Sequence, residues 1–128
     1  MWHSVVEGAF DAIVTMDMAG TIVNLNPAAE RMFGYPREQT IGGDLGGLVV
    51  PDDCRDQYRL VLERARSAEA DAGRFEMQAL RRGAQRFPIE LCVSCTRTPS
   101  GEVLVAWIRD LSERRVAEEA LRLSEMQL

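Results

Sequence analysis

TIVNLNPAAERMFGY, residues 21–35, is the stretch of sequence that decides the fold. Its first part, Ile22–Leu25, is rich in residues that favour a β-strand. The strand then gives way to a helix, because Asn26 is a good N-cap and Pro27 fits the first helical position without losing a hydrogen bond. Gly34 supplies the left-handed residue that ends the helix. The stretch therefore predicts a strand followed directly by a capped helix of about two turns.

The residues on either side of this stretch predict a hairpin and further helices. Residues 12–17 are a strand pattern, and the turn composition of residues 17–20 folds them back against residues 21–25. Residues 36–42 predict a helical turn that ends at Gly42, whereas residues 45–50 are interpreted as a linker interrupted by glycines. A longer helix is predicted from Pro51, with Asp52 or Asp53 as its N-cap. Its apolar residues form one stripe at helical spacing: Cys54, Tyr58, Val61, Leu62, Ala65 and Ala68.

The second half of the chain predicts three strands and a last helix. Residues 75–79 and 87–95 alternate between apolar and polar side chains, which indicates strands with one buried face. Residues 103–109 are apolar on both faces, as expected of a central strand covered on two sides. Asp110 and Ser112 then begin an exit helix that runs to the end of the chain. The order of elements predicts an α+β fold, with one five-stranded antiparallel sheet, short helices on one face and a C-terminal exit helix.

Composition excludes several classes of function. The chain has 128 residues, enough for one domain with its own core, and a formal net charge of −5. This acidity argues against nucleic acid and membrane surfaces as partners, because both attract a basic face. No apolar run is long enough to cross a membrane, and the first residues lack the layout of a signal peptide. The three cysteines form no even disulfide framework, so we expect reduced thiols and a cytoplasmic protein.

No catalytic or metal site emerges from the sequence. Cys92 and Cys95 are spaced like a metal-binding or redox pair, but residues three apart on a strand point to opposite faces. The sequence shows no Ser/His/Asp grouping around a nucleophile turn and no glycine-rich phosphate loop. His3 is the only histidine and lies far from the predicted pocket. We therefore predict a protein that is not an enzyme.

Several motifs in this order and spacing resemble the PAS sensory-domain family over nearly the whole chain. They are residues 11–14 with Asp17 and Gly20, residues 24–35, Ile41-Gly42, Arg81-Arg82-Gly83, Phe87-Pro88-Ile89-Glu90-Leu91 and Arg109-Asp110-Leu111-Ser112-Glu113-Arg114-Arg115. The resemblance implies a curved five-stranded antiparallel sheet that, with the helices, encloses a pocket for a cofactor or small ligand. It also implies a module of a larger, often dimeric signalling protein, such as a bacterial two-component or cyclic-dinucleotide system.

The resemblance allows the candidate cofactors to be compared. In this family, haem iron is usually ligated by a histidine on the longer helix or the loop after it, and this chain has no histidine there. Met16 or Met77 could ligate in principle, but methionine at alternating strand positions more often fills a core. The covalent flavin subclass carries an Asn-Cys-Arg-Phe-type motif, and its register here falls on Gly43-Asp44-Leu45-Gly46. Haem and covalent flavin are therefore disfavoured, and a non-covalent flavin or a small apolar ligand stays open.

The predicted pocket wall takes apolar residues from the strands and helices that should face the sheet's concave side. Trp107, Phe75, Phe33 and Tyr58 could line a flavin slot, the alternative being that they are ordinary core. The full predicted wall consists of Val14, Met16, Leu25, Met32, Phe33, Ile41, Tyr58, Leu62, Phe75, Met77, Leu91, Val93, Val105 and Trp107.

Three segments organise the predicted function. Residues 1–10 form a flanking helix, residues 11–111 the sensory domain, and residues 112–128 a signal-linker helix that begins a coiled coil. The resemblance implies that Asp110 anchors the junction that passes a change in the sheet to this helix. We predict that Asp110, Ser112 and Arg114 form this junction, through an ion pair between Asp110 and a nearby arginine such as Arg114. The chain ends within the helix, so we expect an output domain beyond it and a homodimer. A ligand-free dimerisation or protein-interaction module is the alternative.

Overall fold

The computed structural model describes residues 12–67 and 74–126, with the side chains of residues 113–115 left out. The strands are β1 (Ala12–Met16), β2 (Ile22–Leu25), β3 (Arg74–Arg81), β4 (Gln85–Thr98) and β5 (Gly101–Asp110). The helices are α1 (Pro27–Phe33), α2 (Arg37–Thr40), α3 (Leu45–Val49), α4 (Arg55–Ser67) and α5 (Ser112–Met126), and a 3-10 turn, Asp52–Cys54, precedes α4. The predicted flanking helix of residues 1–10 lies outside the described residues.

The five strands form one antiparallel sheet, as the sequence predicts, and their order is β2-β1-β5-β4-β3. The central strand is β5, whose inner face is formed by Leu104, Ala106 and Ile108, all at most 1% exposed. Because side chains alternate along a strand, Val105 and Trp107 lie on the opposite, half-buried face. The core lies between the inner face of the sheet and the helices.

The predicted hairpin and capped helix are confirmed. Asp17 closes the β1–β2 turn, since its Oδ1 accepts hydrogen bonds from the backbone N–H groups of Ala19 and Thr21. Asn26 is the N-cap of α1, and Gly34 ends this helix with a positive φ of 80°. A Cβ at Gly34 would also lie 3.2 Å from the Cβ of Arg82, so both backbone angle and space favour glycine there.

Two predictions about the helical region are wrong. Residues 45–50 are not a linker, because Leu45–Val49 form α3, whose N-cap Asp44 accepts a hydrogen bond from Gly47 N–H. The helix after Pro51 begins as a 3-10 turn without a side-chain cap, so neither Asp52 nor Asp53 caps it. The buried stripe of α4 is confirmed for Tyr58, Val61, Leu62 and Ala65; Cys54 is half-buried, and Ala68 lies outside the described residues.

Replacing Asn26 with alanine is expected to lower the free energy of unfolding by about 1–2 kcal/mol. The Asn26 Oδ1 accepts hydrogen bonds from both Ile13 N–H and Ala29 N–H, each at 3.0 Å, and so ties β1 to the start of α1. Urea denaturation measures the change. Asn26→Asp keeps an acceptor in place and should lose less stability; equal losses in the two variants would contradict this account.

Candidate functional site

Most of the predicted pocket wall lies in one continuous core on the inner face of the sheet. The residues that the structure buries there are Val14, Met16, Leu25, Met32, Phe33, Tyr58, Leu62, Met77, Leu91 and Val93. Phe75 is half-buried and packs against the same core. The period-2 alternation of β1, β3 and β4 therefore predicted the inward face of these strands correctly.

Three predicted wall residues lie elsewhere, and the structure corrects their assignment. Val105 and Trp107 pair with Thr15 and Ile13 across β1, on the face of the sheet that points away from the helices. The sequence of β5 could not indicate this, because apolar residues occupy both of its faces. Ile41 follows α2 and is 41% exposed. In this fold, therefore, none of these three side chains lines an interior pocket.

One interior cavity on this face, formed by described residues, is small. It has a volume of about 10 Å³, roughly the space that one water molecule needs. Apart from Tyr35 and Thr40, its lining residues in the described part of the chain are apolar: Val14, Ile22, Leu25, Ala29, Phe33, Leu45, Leu48 and Val49. Thr40 is buried, and its hydroxyl donates to the carbonyl oxygen of Arg37 at 2.9 Å. The cavity therefore suits a very small, mostly apolar occupant.

Sequence reasoning missed the contribution of α3 to this cavity. Leu45, Leu48 and Val49 all line it, although residues 45–50 were predicted to be a linker. A signal was available, because apolar residues at i, i+3 and i+4 follow Asp44, a good N-cap. Gly46 and Gly47 obscured it, since glycine is a poor helix former.

This cavity does not fit a flavin or haem as it is arranged. Pockets for molecules of that size usually have volumes of about 300–1,000 Å³, far above the volume found here. Trp107, the proposed wall of a flavin slot, lies on the other face of the sheet. Met16, considered as an iron ligand, accepts a hydrogen bond at its Sδ from the Tyr58 hydroxyl at 3.5 Å. Among the described residues, no group of three or more potential metal ligands is found.

A second constellation lies where β5 ends and α5 begins, around the guanidinium of Arg81. Its Nη1 donates to the carbonyl oxygen of Met32 at 2.7 Å, and its Nη2 donates to Asp110 Oδ2 at 2.6 Å. The same guanidinium stacks 3.8 Å from the centroid of the Phe87 ring. The other carboxylate oxygen of Asp110 accepts from Ser112 N–H at 2.8 Å, at the start of α5. One side chain of β3 thus connects α1, β4, β5 and the exit helix.

The structure thereby identifies the arginine that pairs with Asp110. The predicted junction residues Asp110 and Ser112 are in direct contact, but the arginine comes from β3, 29 residues earlier in the sequence, and is Arg81. The side chain of Arg114 lies outside the described part of the chain, so its predicted pairing stays a prediction. The Arg81 and Asp110 side chains are each 27% exposed, which makes this a partly buried ion pair.

The pKa of Asp110 is held below its usual range. Partial burial acts to raise the pKa, but the hydrogen bonds from Ser112 and Arg81, together with the charge of Arg81, outweigh it. Folding therefore stabilises the ionised carboxylate of Asp110 relative to its protonated form.

The stability of the protein is expected to fall in acid through this group. Since the folded pKa of Asp110 lies below its unfolded value near 3.8, the unfolded state takes up the proton first as the pH falls. The stabilisation is fully present above the unfolded pKa, and it is lost progressively as the pH falls through the folded pKa. Urea denaturation at about pH 6 and about pH 3 measures it. Asp110→Asn should lose less stability over this range than the parent chain, and equal losses would contradict the assignment.

The exit helix leaves the sheet with its apolar residues uncovered. Val116, Leu121, Leu123 and Met126 are between 47% and 70% exposed. Every residue from 116 to 126 is exposed, so this part of the helix does not pack back on the sheet. Among the described helices, none is long and apolar enough to cross a membrane.

Comparison with known proteins gives consistent results. Residues 1–111 match the family model described as the PAS fold. An uncharacterized protein of Azorhizobium caulinodans is 32% identical over 122 residues, which cover 93% of this chain and 17% of that protein. The sensor protein FixL of Bradyrhizobium diazoefficiens is 26% identical over 129 residues, which cover 98% of this chain and 25% of FixL. The chain thus spans at most about a quarter of the length of these curated relatives.

Solved structures show the same fold. A PAS domain from Colwellia psychrerythraea has a TM-score of 0.67 at 24% identity, covering 88% of this chain and 99% of that one. The PAS domain of an HTR-like protein from Haloarcula marismortui has a TM-score of 0.64 at 20% identity, covering 85% of this chain and 91% of that one. A PAS domain from a two-component sensor histidine kinase has a TM-score of 0.63 at 16% identity, covering 85% of this chain and 92% of that one.

Proposed function

This chain belongs to the PAS fold family, and on that basis we propose that it is the signal-input domain of a longer, cytoplasmic signalling protein. It carries no catalytic step of its own in this proposal. A change in its core reaches an output domain through the junction of Arg81 and Asp110 and through α5. The similarity to the sensor protein FixL supports a sensory role, and the short share of FixL that the chain covers supports a larger parent protein.

The contacts of Arg81 are the observation that carries the proposal. The carbonyl oxygen of Met32 lies near the end of α1, a helix whose residues Ala29 and Phe33 line the interior cavity. Asp110, on the other side of the guanidinium, holds the first turn of α5 through Ser112. A shift of α1 therefore changes the position of the guanidinium, and with it the hydrogen bonds that orient the exit helix.

The stimulus in this proposal is a small apolar ligand that enters beside α3. The cavity must expand to take anything larger than water, and α3 is the part of its wall that yields most easily. This helix is five residues long and contains Gly46 and Gly47, so its intrinsic helical stability is low. Displacement of Leu48 and Val49 from the cavity would open it towards the surface.

The second candidate function is a ligand-free interaction module, which the small cavity favours. A cavity with space for about one water molecule needs no ligand to fill it. In both cases we propose a homodimer that forms along α5, because its exposed apolar residues Val116 and Leu123 are seven apart, the spacing of a coiled coil.

Native mass spectrometry of the freshly purified chain separates the two candidates. A bound small molecule appears as added mass in the native spectrum that is lost on denaturation, whereas the interaction module shows a dimer without added mass. Loss of the dimer in Leu123→Glu, with the monomer still folded, would support pairing through α5. A dimer that is unchanged in this variant would place the interface elsewhere.

Amide hydrogen exchange tests the relay itself. Arg81→Met should increase exchange in the first turn of α5, because the hydrogen-bonded arrangement of Asp110 and Ser112 loses its anchor. Arg86→Met is the control, since Arg86 pairs with Asp53 on the surface and not with the junction. Equal exchange of α5 in the parent chain and in Arg81→Met would contradict a relay through this residue.

A further inference from the structure

A larger cleft lies on the surface, between the β1–β2 turn, the beginning of α3 and the face of α4 next to them. Its volume is about 370 Å³, within the range of pockets for small molecules. Tyr58 and Leu62 provide apolar lining, and Gly46 and Gly47 bring the backbone of α3 to its surface. A Cβ at Gly46 would lie only 2.9 Å from Tyr58 Cε2, so the wall is tightly packed at this point.

Three arginines line this cleft from α4, namely Arg55, Arg59 and Arg66. Their spacing of four and seven residues places them in one row along the helix. The guanidinium group presents paired N–H donors in a plane, which matches the oxygens of a carboxylate or phosphate. In a chain with a net charge of −5, this row is a local concentration of positive charge inside a concave surface.

Two of these arginines have only weak partners at present. Arg55 lies 3.2 Å from Asp52, whose side chain is 92% exposed, and Arg59 lies 2.8 Å from Asp56, whose side chain is 87% exposed. Neither aspartate lines the cleft. Ion pairs between such exposed groups are weak and are screened by salt. An anion inside the cleft can therefore compete for both guanidinium groups.

The rest of the cleft is fixed and adds a second kind of contact. Arg66 is held across the β1–β2 turn, because its Nε donates to the carbonyl oxygen of Met18 at 2.7 Å. Asp44 also lines the cleft, and its Oδ2 accepts from Gly47 N–H at 3.1 Å. A carboxylate in the same cleft as the arginines disfavours a bare anion and favours one that also carries a hydroxyl donor.

We propose that this cleft binds a small hydroxylated organic anion, whose carboxylate or phosphate group pairs with Arg55 and Arg59 while a hydroxyl donates to Asp44. The site is separate from the interior cavity, which is lined by other residues. It holds whether or not the interior accepts a ligand. If the cleft binds no such anion, the proposed relay through Arg81 is unaffected.

NMR titration of the isotope-labelled chain tests the site with two probes, citrate and glycerol 3-phosphate. We expect saturable shifts of the Gly46 and Gly47 amides and of the Nε signals of Arg55 and Arg59. Shifts with citrate alone assign the site to carboxylates, and shifts with glycerol 3-phosphate alone assign it to phosphates. The proposal is overturned if neither probe moves these signals at millimolar concentration, or if arginines across the whole surface shift alike.

Variants separate a built site from general attraction of anions. Arg59→Gln should weaken binding by about tenfold, because it removes a charge-assisted hydrogen bond. Ala19→Phe fills the cleft from the exposed β1–β2 turn without changing the charge, and it should also weaken binding. Arg31→Gln removes an exposed arginine of α1 that does not line the cleft, and it should bind as the parent does.

Equal losses in Arg59→Gln and Arg31→Gln would overturn the proposal, since they would mean that overall charge alone attracts the probe. Undiminished binding in a folded Ala19→Phe would do the same. If that variant fails to fold, the comparison of Arg59→Gln with Arg31→Gln decides.

Discussion

Arg81→Met is expected to lower the free energy of unfolding by about 2–3 kcal/mol. The substitution keeps an aliphatic stem beside Phe87 but removes the hydrogen bond to the carbonyl oxygen of Met32 and the ion pair with Asp110. Both side chains of the pair are about three-quarters buried, so Asp110 is left with a partly desolvated charge that, among the described side chains, has lost its cationic partner and keeps the hydrogen bond from Ser112 N–H. Urea denaturation monitored by circular dichroism measures the loss.

Arg86→Met provides the matched control on the neighbouring strand. Arg86 also pairs with an aspartate, Asp53, through two hydrogen bonds of 2.7 Å and 3.2 Å, but both side chains are at least half exposed. Its loss should cost clearly less stability than the loss of Arg81, because solvent and salt screen an exposed ion pair. A double-mutant cycle with Asp110→Asn then isolates the coupling between Arg81 and Asp110. Equal effects of Arg81→Met and Arg86→Met would show that partial burial does not strengthen the junction.

Leu104→Ala is expected to lower the free energy of unfolding by about 3 kcal/mol and the melting temperature by about 10 °C. Leu104 is 0% exposed and lies on β5, the central strand, where it pairs with Met16 of β1 and Cys95 of β4. Removing its side chain leaves a void that neighbours on both sides cannot fill without moving the strands. Calorimetry and urea denaturation measure the two quantities.

Leu60→Ala is the corresponding control. Leu60 lies on α4 but is 55% exposed, so truncation removes little buried surface, and alanine is at least as good a helix former. We expect a change of about 0.5 kcal/mol or less. A comparable loss in Leu104→Ala and Leu60→Ala would mean that the core on the inner face of β5 is not the main source of stability.

The local pattern of residues was enough to predict the strands, the first helix and their order. Asn26 and Gly34 mark the ends of α1 through hydrogen bonds and backbone angles that involve only residues nearby in sequence. The alternation along β3 and β4 depends on the fixed geometry of an extended chain. Local patterns were insufficient at α3, where Gly46 and Gly47 weaken the helical signal although Asp44 caps the helix and Leu45 and Val49 are buried.

The candidate site could be predicted only in part. The sequence predicted a junction of Asp110, Ser112 and Arg114, and the first two are in contact. It could not identify Arg81 as a partner of Asp110, because Arg81 comes from another strand and is brought near only by the sheet. It also assigned Trp107 to the pocket, because a strand that is apolar on both faces does not reveal which face points inward. That choice depends on the register between β5 and its neighbours.

The amino-acid sequence by itself determined the hairpin, the capped helix and the five strands, because these follow from contacts within a few residues and from fixed periodicities. The PAS fold was predicted from the resemblance of the ordered motifs to that family. The tertiary structure alone decided which residues line the small cavity beside α3, that Arg81 joins α1 to the exit helix, and that the arginines of α4 line a cleft. Such features depend on how side chains from distant segments of the chain pack together, and a local sequence pattern contains no information about that packing.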